Sequence, residues 1–191
     1  MRPGALAIAV AVIIAGVAGG LGARQLSRVG VHEGYAPEQP IAFSHKQHAG
    51  DSHIPCLYCH FGARTSRHAG IPPVNVCMNC HSVLTKQTVE IEKLKETVQR
   101  GQAISWTKVH NLPDFVYFNH SQHVTGGVAC AACHGAVETM VRVRQSAPLT
   151  MGWCLDCHKS RSPGVREHQA VLRRGDPPTA SAGLDCGKCH Y

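Results

Sequence analysis

All ten cysteines of the 191-residue chain fall into one five-residue pattern that occurs five times: Cys56-Leu-Tyr-Cys59-His60, Cys77-Met-Asn-Cys80-His81, Cys130-Ala-Ala-Cys133-His134, Cys154-Leu-Asp-Cys157-His158 and Cys186-Gly-Lys-Cys189-His190. C-x-x-C-H is the attachment signature of c-type haem. Two thiols three positions apart can reach the two vinyl groups of one porphyrin, and the histidine that follows lies beneath the iron as an axial ligand. Zinc knuckles and redox dithiols also use C-x-x-C. Knuckles supply ligands in pairs, however, which an odd number cannot do, and a dithiol needs one motif in a βαβ context. No cysteine is left over for a disulfide. The expected cofactors are therefore five covalent haem c groups.

That load decides the fold class. Aromatic residues make up only 5% of the chain, against 14 histidines and 10 cysteines, so side-chain packing does not fill the interior. The expectation is a mainly irregular and α-helical multihaem cytochrome c, with short helices carrying the motifs and almost no β-sheet. Without its porphyrins the polypeptide should be largely unfolded, as small metal domains are without their metal. The formal net charge of +7 would ordinarily point to nucleic acid or an anionic membrane surface. Five haems bring roughly ten propionates, which offset it, so no nucleic-acid partner is expected.

Gly4 to Ala23 is a run of twenty apolar or glycine residues bounded by Arg2 and Arg24. Its length suits one transmembrane helix and exceeds a usual signal-peptide core, which favours a retained anchor over a cleaved signal. Flanking charge orients it poorly. Haem attachment takes place outside the cytoplasm, so the body is expected on the periplasmic side of a bacterial membrane.

The body contains an internal duplication. Phe43-Ser-His45-Lys-Gln-His48, followed after seven residues by the Cys56 motif, matches Phe118-Asn-His120-Ser-Gln-His123, followed after six by the Cys130 motif. In each copy a proline-marked loop, Ile71-Pro72-Pro73 or Ala147-Pro148-Leu149, leads to a second motif. The expected division is an anchor (1–25), a tether (26–40), two di-haem modules (41–100 and 101–160) and a C-terminal segment with the fifth haem (161–191). Residues 85–100 read as a helix with Ile91, Leu94 and Val98 on one face, stopping at Gly101.

Nine histidines lie outside the motifs: His32, His45, His48, His53, His68, His110, His120, His123 and His168. A low-spin carrier needs one further ligand per iron, usually histidine or methionine. The repeated F-x-H-x-x-H offers two imidazoles on one helical face, close enough to serve two neighbouring haems. For the fifth iron, His110 in its aromatic-rich segment is the first candidate, with Met151 and Met140 as alternatives that would raise the potential. His32, His53, His68 and His168 read as surface residues.

The F-x-H-x-x-H arrangement resembles the class III multihaem cytochromes. There the first histidine ligates the haem of the next motif and the second reaches another haem. Carried over, His45 would serve the haem on Cys56 and Cys59, and His120 that on Cys130 and Cys133. His48 and His123 would cross to other haems. The segments FSHKQHAG, IPCLYCH, AGIPPVNVCMNCH, VHNLPDFVYFNHSQHV, CAACHG and APLTMGWCLDCHK resemble more closely the membrane-anchored pentahaem cytochrome c subunit of alternative complex III, over residues 41–160. That resemblance implies an electron-transfer subunit, not an enzyme by itself. It would sit in a quinol-oxidising respiratory complex beside an iron–sulfur, molybdopterin-like subunit and quinone-binding membrane subunits, and pass electrons to a cytochrome c or terminal oxidase. The competing family is the membrane-anchored quinol dehydrogenase cytochrome that feeds a periplasmic reductase. It commonly has a methionine just after the first motif, where this chain has Phe61-Gly62-Ala63. A catalytic multihaem nitrite reductase fits less well, because all five motifs end in histidine and spare ligands are abundant.

Overall fold

The computed structural model describes residues 3–26, 28–160 and 185–190. The chain divides into two compact units, Met1–His32 and Glu33–Tyr191. The boundary falls within residues 26–40. The first unit is helix α1, Pro3–Leu26. At 1.5 Å per residue its 24 residues extend about 36 Å, enough to cross a hydrocarbon core of about 30 Å. Its large side chains, among them Leu6, Ile8, Val12 and Leu21, face outward.

In the second unit five of the ten described helical elements carry a motif. Cys56–Cys59 (α2), Val74–His81 (α3), Cys130–His134 (α6) and Met151–Ser160 (α7) are α-helical, and Cys186–Lys188 is a 3₁₀ turn. A helical turn is what the spacing requires, since residues three apart then share a face. Pro55 and Pro73 stand immediately before α2 and α3 in extended conformation, which sets a sharp start for each. Helix α4, Val89–Gln99, begins four residues later than its apolar periodicity suggested. Thr88 accepts a hydrogen bond from the Ile91 N–H (3.3 Å) and caps the helix there. Leu94 is its one buried side chain, and Gly101, at φ +63°, ends it.

The histidine pairs sit on different turns in the two copies. His120 and His123 lie on helix α5, His120–Thr125, whereas His45 and His48 lie at the start of a π-helical turn, Lys46–Asp51. A π-turn is an α-turn that has absorbed one extra residue. The first copy does have one residue more between its pair and its motif, so the insertion is taken up without moving the motif out of register.

The modules do not stand apart. Lys46 N–H donates to the Met140 carbonyl (2.9 Å), and Ser121 N–H donates to the Ser66 carbonyl (3.2 Å). In the register of the repeat Lys46 matches Ser121 and Ser66 matches Met140. The same contact is therefore made twice, as across a two-fold interface. No strand occurs among the described residues; Val116 and His190 form an isolated antiparallel bridge.

Side chains alone make little core. Among the described residues only Ala63, Leu94, Met140, Ala147 and Gln145 are buried.

Candidate functional site

The motif histidines meet partners in a regular way. His45 faces His60 with ring centres 6.4 Å apart and planes within 8°, and His120 faces His134 at 6.4 Å and 9°. His48 faces His81 at 6.1 Å and 55°, and His123 faces His158 at 6.1 Å and 53°. An iron held between two imidazoles needs such a gap. Two metal–nitrogen bonds of about 2 Å, plus about 1 Å from each nitrogen to its ring centre, give about 6 Å.

In four of these rings the hydrogen bond is made at Nδ1, on the side away from Nε2. Nδ1–H of His48 donates to the Ser44 carbonyl (2.8 Å), and that of His60 to Gly70 (2.6 Å). His120 donates to the Arg67 carbonyl (2.8 Å) and His123 to that of Asn119 (2.9 Å). A ring whose Nδ1 carries the proton presents Nε2 as a lone pair, the form a metal binds. Phe43 stands edge-on to His45 (5.0 Å, 85°) and stacks on His48 (4.3 Å, 24°); Phe118 does the same to His120 (4.8 Å, 87°) and His123 (4.5 Å, 30°). The phenylalanine of F-x-H-x-x-H therefore sets both rings. Its place in the repeat was visible in the sequence, but its role was not.

Burial favours the neutral form of His45 and His134. The pKa of His45 is lowered to about 4, first by burial and then by His60, and that of His134 to about 4, first by burial and then by His110. The thiols shift the opposite way. Burial raises Cys59, Cys77, Cys130 and Cys154, and it raises Cys133 to about 11. A redox-active dithiol needs a lowered thiol pKa, so that chemistry is disfavoured.

Successive motifs lie side by side. Asn79, inside the second motif, donates to the Tyr58 hydroxyl of the first (3.0 Å). After burial, Cys56 of the first is the group that most raises the pKa of Cys130 of the third. One cleft is lined by Cys133 of the third motif and by Trp153, the residue before the fourth. After burial, the charges that most affect Cys133 are those of Cys157 and Cys154, and Cys189 of the fifth motif is the first charge acting on Cys154. Tyr117 N–H donates to the Cys189 carbonyl (2.7 Å) on the segment leading into α5. The spatial order of the motifs is second, first, third, fourth, fifth.

The three candidates for the fifth distal position lie in different settings. His110 is partly buried, with its Nε2 3.1 Å from Nδ1 of His134, so that nitrogen is engaged with a motif histidine. Met140 is 4% exposed and packed in the core, whereas Met151 is 63% exposed at the start of α7. His190 has the Phe115 ring 5.8 Å away and donates from Nδ1 to the Phe115 carbonyl (3.3 Å). His32, His53 and His68 take part in none of the four facing pairs, and His168 lies outside the described residues.

The donor set fits haem. Among the described residues no three His, Cys, Asp or Glu side chains converge as an isolated ion would require. Four of the five sites instead offer two sulfurs and two opposed imidazoles, the complement of a porphyrin that brings its own in-plane nitrogens. Nδ1 of His45 and of His81 and Nε of Arg67 are buried without a hydrogen-bond partner. A group bearing carboxylates would satisfy the arginine.

Residues 116–191 match the family described as cytochrome c7 and related cytochrome c. Over 98 residues the chain is 38% identical to the multiheme cytochrome c subunit of a menaquinone reductase from Nitratidesulfovibrio vulgaris (strain Hildenborough). The match covers 51% of this chain and 46% of that relative, so the chain spans about half of the relative's length. Opposed histidines beside repeated C-x-x-C-H turns and the lack of strands among the described residues agree with these likenesses: over residues 116–191 the chain is similar to cytochrome c7 and related cytochromes c, and over 98 residues to a multiheme cytochrome c subunit.

Proposed function

We propose that the chain carries five haem c groups and serves as the pentahaem cytochrome subunit of a quinol-oxidising membrane complex of the alternative complex III kind. It would relay electrons toward a cytochrome c or terminal oxidase. In this reading α1 is a retained anchor and the haem body lies on the periplasmic side. The partners are an iron–sulfur, molybdopterin-like subunit and quinone-binding membrane subunits. The observation that carries the proposal is the unbroken succession of neighbouring motifs, which leaves the second and fifth sites as its two ends. Bound haem supplies one-electron exchange between ferric and ferrous iron.

The residues of this chain do the rest. His45 with His60, His48 with His81, His120 with His134 and His123 with His158 would hold the iron of four haems between opposed imidazoles. The ten cysteines tether, and Ser44, Gly70, Arg67 and Asn119 hold ring orientation through their carbonyls. Arg67, stacked 4.4 Å over the Tyr117 ring with its Nε unpartnered, would pair with a haem propionate.

A second direction of flow is favoured by the relative's name, since that protein belongs to a menaquinone reductase. There the same row of sites would deliver electrons to the quinone. Isolation of the native complex through a tag on this chain tests both readings. Co-purification with iron–sulfur and multi-helix quinone subunits, five haem equivalents per chain and quinol-dependent reduction of cytochrome c are expected. Isolation of the chain with a periplasmic reductase, or a haem ratio other than five, would overturn the assignment; quinone reduction without quinol oxidation would reverse its direction.

A further inference from the structure

His60 and His134 occupy equivalent places in the two modules, yet their Nδ1 atoms meet different partners. His60 donates to a backbone carbonyl, that of Gly70. His134 meets the side chain of His110, Nδ1 to Nε2 at 3.1 Å, with the rings edge to face at 4.4 Å and 81°. The repeat's register puts Tyr35 where the second module has His110, so the difference is written in the sequence of the copies.

The placement of His110 is held by the most buried side chain of the described residues. Gln145 is 1% exposed. Its Oε1 accepts from the N–H of Asn111, the residue after His110 (3.0 Å), and its Nε2 donates to the Ala147 carbonyl (3.0 Å). Its backbone N–H donates to Tyr35 (3.0 Å), and its carbonyl accepts from Gly34 (2.7 Å). A buried amide engaged at both its oxygen and its nitrogen fixes local backbone position, because any shift would strand a polar group.

We propose that His110 is a positioning residue for the third haem site, accepting the Nδ1–H of His134 through its Nε2. It thereby sets that ligand's orientation and basicity and lowers the potential of that one site. The inference rests on His134 serving as an axial ligand. A hydrogen bond accepted from the far nitrogen of an imidazole pushes electron density toward the metal, which favours ferric over ferrous iron. Because the acceptor is a side chain, this site alone among those with a described Nδ1 bond can be retuned by one substitution.

The test compares wild type, His110→Leu, His110→Gln and His134→Ala in the purified full-length holoprotein, by redox titration and low-temperature EPR. With His110→Leu, haem content and low-spin signals should persist while one midpoint potential rises and the others stay. With His110→Gln, whose amide oxygen can accept the same proton, that potential should return toward wild type. Unchanged potentials in the leucine variant, or a glutamine variant that behaves like leucine, would overturn the tuning role. Loss of a low-spin signal in the leucine variant would make His110 itself a ligand and also overturn it. His134→Ala separates the underlying reading: if that variant retains every low-spin signal, His134 is not a ligand, and the failure lies there.

Discussion

Gln145→Met removes hydrogen bonding from the most buried side chain while keeping an unbranched chain of similar length. Two partners lose their bonds, the Asn111 N–H and the Ala147 carbonyl. A stranded buried polar group costs about 1–3 kcal/mol. Ala147 is 8% exposed and lies in the middle of that range, while the Asn111 segment is more open to water and lies near its lower end. Burying a thioether in place of an amide returns part of this, so the net loss is about 2 kcal/mol. In a chain of this size that corresponds to a midpoint lowered by about 4–8 °C. Unfolding of the oxidised holoprotein, followed through the haem absorbance of histidine-ligated iron, measures it. A shift of less than about 1 °C with an unchanged transition width would mean that both backbone groups find other partners, refuting the claim that Gln145 holds the His110 segment.

Two further outcomes are expected. The four histidine pairs fall into two geometries, near-parallel at His45–His60 and His120–His134 and tilted at His48–His81 and His123–His158. Ferric EPR should resolve two classes of low-spin signal, with His45→Ala depleting the parallel class and His48→Ala the tilted one; loss from the opposite class in either variant would refute the pairing. The buried imidazoles also predict acid lability. His45 and His134 have folded pKa values lowered to about 4 from 6.5, so the folded form binds fewer protons than the unfolded chain. Their contribution to stability is fully present above about pH 6.5 and is lost as pH falls toward 4. Denaturation midpoints measured across that range should be flat above it and decline through it, and a midpoint that rises on acidification would contradict the burial argument.

The sequence by itself determined the fold class and the placing of every cysteine within a C-x-x-C-H motif. Every cysteine lies in a motif whose spacing matches one helical turn, and local geometry of that kind needs no tertiary information. The duplication likewise identified the paired histidines, because F-x-H-x-x-H repeats in register. The tertiary structure decided which imidazole faces which: His48 opposes His81, and His123 opposes His158, across loops whose course no periodicity encodes. It also decided the order of the motifs, since the first and third meet only because the modules exchange backbone hydrogen bonds through Lys46, Met140, Ser66 and Ser121. The surroundings of His110 belong to this second kind. Its aromatic neighbours in the chain suggested a ligand, but its partner, His134, is 24 residues away and is brought to it by folding around Gln145. Spacing within one turn is set by bonds along the chain; proximity across modules is set by packing, which only the folded chain possesses.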